Sequence, residues 1–152
     1  MEREILQLVT AFTGSLGFGL VFHLRRKLLL SVALGGLLCW GIYLLCIAWL
    51  KELFLSTLIA SAFAAFYAEG LARFFKAPAT LFLIPTVVPL IPGSTLYYAM
   101  SAAVGGDWIE AREFGAQTVQ YALGIAIGIS LVWAFWEMTR NLTAIMGRRK
   151  NG

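Results

Sequence analysis

The chain has 152 residues, 60% of them hydrophobic and 13% charged, with a mean hydropathy of +0.80. That balance excludes a soluble domain of this size and points to an integral membrane protein. The net charge of +4 calls for no nucleic-acid partner, because the basic residues sit in short patches between apolar runs. There, topology and the anionic headgroups of the lipid bilayer account for them.

Five apolar runs of roughly 18 to 25 residues lie between the patches, the length that spans about 30 Å of hydrocarbon. They are placed at about 5–22, 28–50, 53–75, 80–104 and 114–139, joined by short links. Backbone polar groups in hydrocarbon must be satisfied inside the protein, and short alternating strands are absent, so helices remain as the spanning element. The expected fold class is all-α: one integral membrane domain, residues 1–152, forming a bundle of five transmembrane helices.

The first run opens "MEREILQLV", with two acids against one base and no small-x-small cleavage site after it, so a retained helix is expected rather than a signal peptide. Gly14, Gly17 and Gly19 read as a small-residue packing face, since no strand precedes them as a phosphate-binding loop requires. His23, the single histidine, has no cysteine or acid pair nearby, so no metal site is expected, and no cofactor. In the second run Cys39 and Cys46 are two helical turns apart, about 10 Å, too far for a disulfide.

The third run carries Glu69, an acid well inside a span. It shares a face with Ser61, Ala65 and Arg73, each four residues from the next, and the small residues let another helix approach. Two readings stand side by side. Glu69 either accepts a proton and couples transport to the proton gradient, or it pairs with Arg73 in the favourable i,i+4 order near the membrane edge.

The fourth run contains "PTVVPLIPGST", residues 85–95. Proline removes an amide hydrogen and clashes with the carbonyl four residues back, so Pro85, Pro89 and Pro92 within eight residues, followed by Gly93, predict an interrupted helix. Ser94 is a good N-cap, so half-helices over about 80–91 and 95–104 are expected, with the break facing protein or an aqueous cavity. The N-terminus of the second half would offer free amides and partial positive charge near mid-membrane, a seat for a carboxylate of the kind secondary transporters use. Pro89, Pro92, Gly93, Ser94 and Thr95 form this candidate substrate site, with Tyr97 and Tyr98 one turn on.

In the fifth run Gln117, Gln120 and Tyr121 share one face, where glutamines can bond either a ligand or a neighbouring helix. Gly124 and Gly128 read as a packing face, and Glu137 with Arg140 as an interfacial pair. Nine of the twelve basic residues fall at one set of ends (Arg25, Arg26, Lys27, Arg73, Lys76, Arg140, Arg148, Arg149, Lys150), and Arg3, Lys51 and Arg112 at the other. The positive-inside rule then places the N-terminus outside and the C-terminus in the cytoplasm, in the inner or plasma membrane.

The segment "LIPTVVPLIPGSTLYYAM", with its apolar Pro-x-x-Pro-Gly-Ser core followed by Tyr and Met, resembles the threonine/serine exporter family, specifically the C-terminal half or the separately encoded small subunit. The small-residue opening "GSLGFGLVFHLRRK", the approach "EGLARFFKAPAT" and the basic C-terminus extend the resemblance over essentially the whole chain. It implies a two-part exporter whose larger, N-terminal-half-type subunit supplies further helices. Serine and threonine are the substrates it implies, with a dicarboxylate such as succinate for some two-component members.

The function expected is therefore that of a membrane subunit of a secondary exporter of small carboxylate-bearing metabolites, not an enzyme, since no nucleophile-base pair appears. The alternative is a structural subunit that completes a partner's bundle. Self-assembly is left open.

Overall fold

A computed structural model describes the backbone of residues 2–150 and the side chains of residues 2–140, so the side chains of Arg148, Arg149 and Lys150 lie outside the described residues. Six α-helices follow one another: α1 (Glu2–Val21), α2 (Arg26–Leu50), α3 (Leu53–Phe75), α4 (Thr80–Val87), α5 (Gly93–Gly105) and α6 (Trp108–Lys150). A 3-10 turn, Val88–Leu90, extends α4. By length and composition α1, α2, α3 and α6 can each cross a membrane, and α4 with α5 makes a fifth span, bent by 51°. The fold is an all-α membrane bundle with its fourth helix broken at Pro-x-x-Pro-Gly-Ser.

α3 is the organising element, and its sequence explains why. Ser56, Thr57, Ala60, Ser61, Ala64, Ala65 and Ala68 repeat at helical spacing and are all buried, giving α3 a thin face that α2, α4 and α6 can approach closely. The hydroxyls on this face stay satisfied within the membrane: Ser56 Oγ donates to the Glu52 carbonyl at 2.6 Å and Thr57 Oγ1 to that of Leu53 at 2.8 Å. Ser61 Oγ is shared between the carbonyls of Leu58 at 3.0 Å and of Gly124 on α6 at 3.1 Å, a polar tie between helices.

α3 and α6 run in the same direction and form the most extensive helix pair. At Gly128 an added Cβ would lie 2.5 Å from the Leu58 carbonyl and 3.0 Å from the Ala62 amide, so glycine sets how close the two helices come. α1 and α2 pack likewise where Gly36 faces Ser15 and Gly19 faces Leu29. The expectation for Gly14 and Gly17 is corrected: a Cβ at either would meet nothing within 4 Å, because only the Ala11, Ser15 and Gly19 side of α1 is buried. Cys39 is buried with its thiol 3.5 Å from the Ala60 carbonyl, and both it and Cys46 are free.

α5 stands apart. It buries none of its residues and rests on α6, to which it is joined by a tight turn. Gly106 closes α5 at φ +83°, and the carboxylate of Asp107 accepts the Glu110 amide at 3.0 Å, capping α6. α6 therefore starts at Trp108, several residues before the expected 114.

Candidate substrate site at the broken helix

The three prolines do different things. Pro85 is buried inside α4, which continues past it. Pro89 falls in the 3-10 turn, where tighter winding absorbs its missing amide hydrogen. Pro92 makes the break: the residue before a proline is driven out of the helical region, and Ile91 is extended at φ −62°, ψ 124°.

The new helix begins at Gly93 with Pro92 in the cap position and no side-chain cap. This corrects the expectation that Ser94 caps a helix starting at 95: Ser94 is already inside the helix, and it is exposed. The free amides nevertheless remain. Gly93 N–H bonds the Ile91 carbonyl at 2.8 Å and Leu96 N–H that of Pro92 at 3.1 Å, while the amides of Ser94 and Thr95 find no partner among the described residues. Burial of the break is partial: Leu90 is enclosed by the bundle, but Ile91 and Gly93 are exposed.

A pocket of about 90 Å³, room for roughly three waters, opens at these amides, lined by Trp40, Pro89, Leu90, Ile91, Pro92, Ser94, Thr95 and Tyr121. Its polar groups form two short chains. Thr118 Oγ1 donates to Thr95 Oγ1 at 3.0 Å, with the Phe114 carbonyl as competing acceptor at 2.8 Å, and Thr95 donates to the Pro92 carbonyl at 3.2 Å. The hydroxyls of Tyr43 and Tyr121 are 2.6 Å apart. The indole N–H of Trp40 is buried and has no acceptor among the described residues. The unpaired amides of Ser94 and Thr95 and the Trp40 indole N–H are the donors this lining offers to a small polar ligand.

Of the residues expected from sequence, Pro89, Pro92, Ser94 and Thr95 line this pocket, with Gly93 at the start of α5 between them. Tyr97 and Tyr98 do not: they are exposed, edge-to-face with each other, and Tyr98 packs on Phe114. Gln117 and Gln120 lie on α6 outside the lining, Gln120 exposed, whereas Tyr121 from the same face reaches it. Trp40, Tyr43 and Thr118 were missed. Trp40 carried a readable signal, since a tryptophan in mid-span is away from the interfaces where that residue usually sits.

Glu69 lies elsewhere, in a cleft of about 720 Å³ at the basic end between α3 and α6, shared with Arg73, Trp133, Trp136, Glu137 and Arg140. The ion pair with Arg73 is not formed. The Arg73 guanidinium instead sits over the ring of Trp136, 3.9 Å from its centroid, and Trp136 stacks on Phe66. The Arg73 cation is thus held on an aromatic face, and Glu69 has no ionic partner among the described residues. The Glu137–Arg140 pair forms at 3.7 Å, with both side chains mostly exposed. Along α6 the cleft and the break pocket are separated by roughly 22 Å of helical rise, with the Gly124 and Gly128 seam between them.

An interrupted span with unpaired amides at a small polar pocket, set in a helical bundle, is the architecture by which membrane transporters hold small solutes. The sequence pattern of the Threonine/Serine exporter family, ThrE, matches residues 7–135, from the first helix through most of α6 and including the break. The chain belongs to that family. No solved structure matches it.

Proposed function

We propose that the chain is the membrane subunit of a two-component secondary exporter of small carboxylate-bearing metabolites, serine or threonine foremost, with the break pocket as substrate site. The observation that carries this reading is the pair of unpaired Ser94 and Thr95 amides at the pocket, beside the Thr95 hydroxyl and the Tyr43–Tyr121 pair. Aligned amides at a helix start favour a carboxylate, the hydroxyl oxygens of Thr95 and Tyr121 can accept from the substrate ammonium, and the Trp40 N–H can donate to a substrate hydroxyl. In this reading the basic end faces the cytoplasm, so α5 directs its amides toward the loading side.

The exposure of α5 and of Ile91 supports a larger partner subunit. Irregular backbone at membrane depth must be covered by protein or line water, and this chain alone covers it on one side. The α3–α6 seam separates the pocket from the Glu69 cleft, so alternating access requires that seam to loosen. Glu69, which has no ionic partner among the described residues, takes and releases the proton that drives export.

The same exposure of α5 favours a second reading, in which the chain completes a partner's bundle and the partner holds the substrate. The decisive experiment measures efflux of serine, threonine and succinate from vesicles containing this chain with and without its partner, for wild type, Pro92→Ala and Thr95→Val. Loss of efflux in both variants with the complex intact supports the substrate site. Unchanged efflux makes the chain a scaffold.

A further inference from the structure

At the basic end a second cavity, about 450 Å³, lies between the α1–α2 loop and the α3–α4 link. Among the described residues His23 and Arg25 line it from the first loop, Lys27 from the first turn of α2 and Lys76 from the α3–α4 link, with no acid beside them. Two segments some fifty residues apart thus bring Arg25, Lys27 and Lys76 to one cavity, a set of cations that an anion between them would complement. At the same end the amides of Arg26 and Lys27 have no partner among the described residues at the uncapped start of α2.

The remaining walls are apolar: Phe22, Leu24, Leu28, Phe75, Pro78 and Leu81. A free phosphate or dicarboxylate would satisfy the cations and leave these walls unused, whereas a phospholipid matches both. We propose that this cavity is a binding site for one anionic phospholipid, its phosphate held by Arg25, Lys27 and Lys76 and its acyl chains descending along Phe22, Phe75 and Leu81. Such pockets between transmembrane helices, basic at the rim and apolar below, are where acidic headgroups are recognised. The site is independent of the substrate reading and ties the α1–α2 pair to the α3–α4 link.

Native mass spectrometry of the purified chain, exchanged into detergent with phosphatidylglycerol or phosphatidylcholine, tests it. Wild type should retain one phosphatidylglycerol and little phosphatidylcholine. A triple variant, Arg25→Gln, Lys27→Gln and Lys76→Asn, should weaken that retention about a hundredfold. Asparagine is chosen at Lys76 because that residue holds φ +51° and asparagine tolerates such angles. The control removes the same number of charges at the opposite end, Arg3→Gln, Lys51→Asn and Arg112→Gln, and should leave retention unchanged. Equal losses in the two triples, or equal retention of both lipids, would overturn the proposal as general surface attraction. Displacement of the lipid by millimolar inorganic phosphate would reassign the cavity to a free anion and equally overturn it. Should the triple variant fold poorly, Arg25→Gln with Lys27→Gln gives the same comparison at an intermediate loss.

Discussion

The hydroxyls of Tyr43 on α2 and Tyr121 on α6 meet at 2.6 Å, joining residues 78 positions apart at the foot of the broken helix. Trp40 packs against Tyr43 with ring centroids 4.9 Å apart and planes tilted by 33°, so the indole and the two phenols adjoin the start of α5. Removing one hydroxyl tests whether that unit positions a ligand or only ties helices. Tyr121→Phe should lower stability by about 1 kcal/mol, read as a small shift of the thermal melt, while reducing serine and threonine efflux severalfold. A shifted melt with unchanged efflux would make the contact purely structural.

Ser94 and Thr95 should separate cleanly. The Ser94 side chain caps nothing and is exposed, so Ser94→Ala should change stability by less than about 0.5 kcal/mol. Thr95→Val breaks the chain from Thr118 to the Pro92 carbonyl and should cost about 1 kcal/mol as well as substrate affinity. Denaturation curves and the concentration dependence of efflux, measured for both variants, distinguish the two effects.

Two glycines on equally apolar helices should respond in opposite directions. Gly128→Ala puts a methyl group against Leu58, Ser61 and Ala62 and should destabilise the α3–α6 pair by about 1–3 kcal/mol. Gly14→Ala meets open space and should be neutral or stabilising by up to about 1 kcal/mol, through helix propensity. Unfolding in graded denaturing detergent checks both.

Arg73 and Glu69 should prove separable because they are not paired. Arg73→Gln removes the cation from the Trp136 face and should cost about 0.5–2 kcal/mol, visible as a lowered melt and altered tryptophan fluorescence. Glu69→Gln leaves that contact intact and should fold normally while abolishing gradient-driven export. Preserved pH-dependent export in Glu69→Gln would remove proton coupling from this residue.

The sequence by itself determined the membrane class, the helical fold and the existence of the break, because each follows from a local rule: run length against bilayer thickness, and proline against the helical hydrogen bond. It also determined that Ser61 and Ala65 would face another helix, since small residues at fourfold spacing leave only that use. It could not decide what a side chain meets across space. Ser94 read as a cap from its type alone, yet Pro92 took the cap position after an extended Ile91 and the helix started earlier, at Gly93. Spacing left an Arg73 pair as one of two readings of Glu69, but spacing ignores competitors, and Trp136, sixty-three residues away in the chain, offered Arg73 its aromatic face. Likewise only the packing of α2 and α6 around the break brought Trp40, Tyr43 and Thr118 to the site, since no periodicity within one helix encodes a neighbour on another.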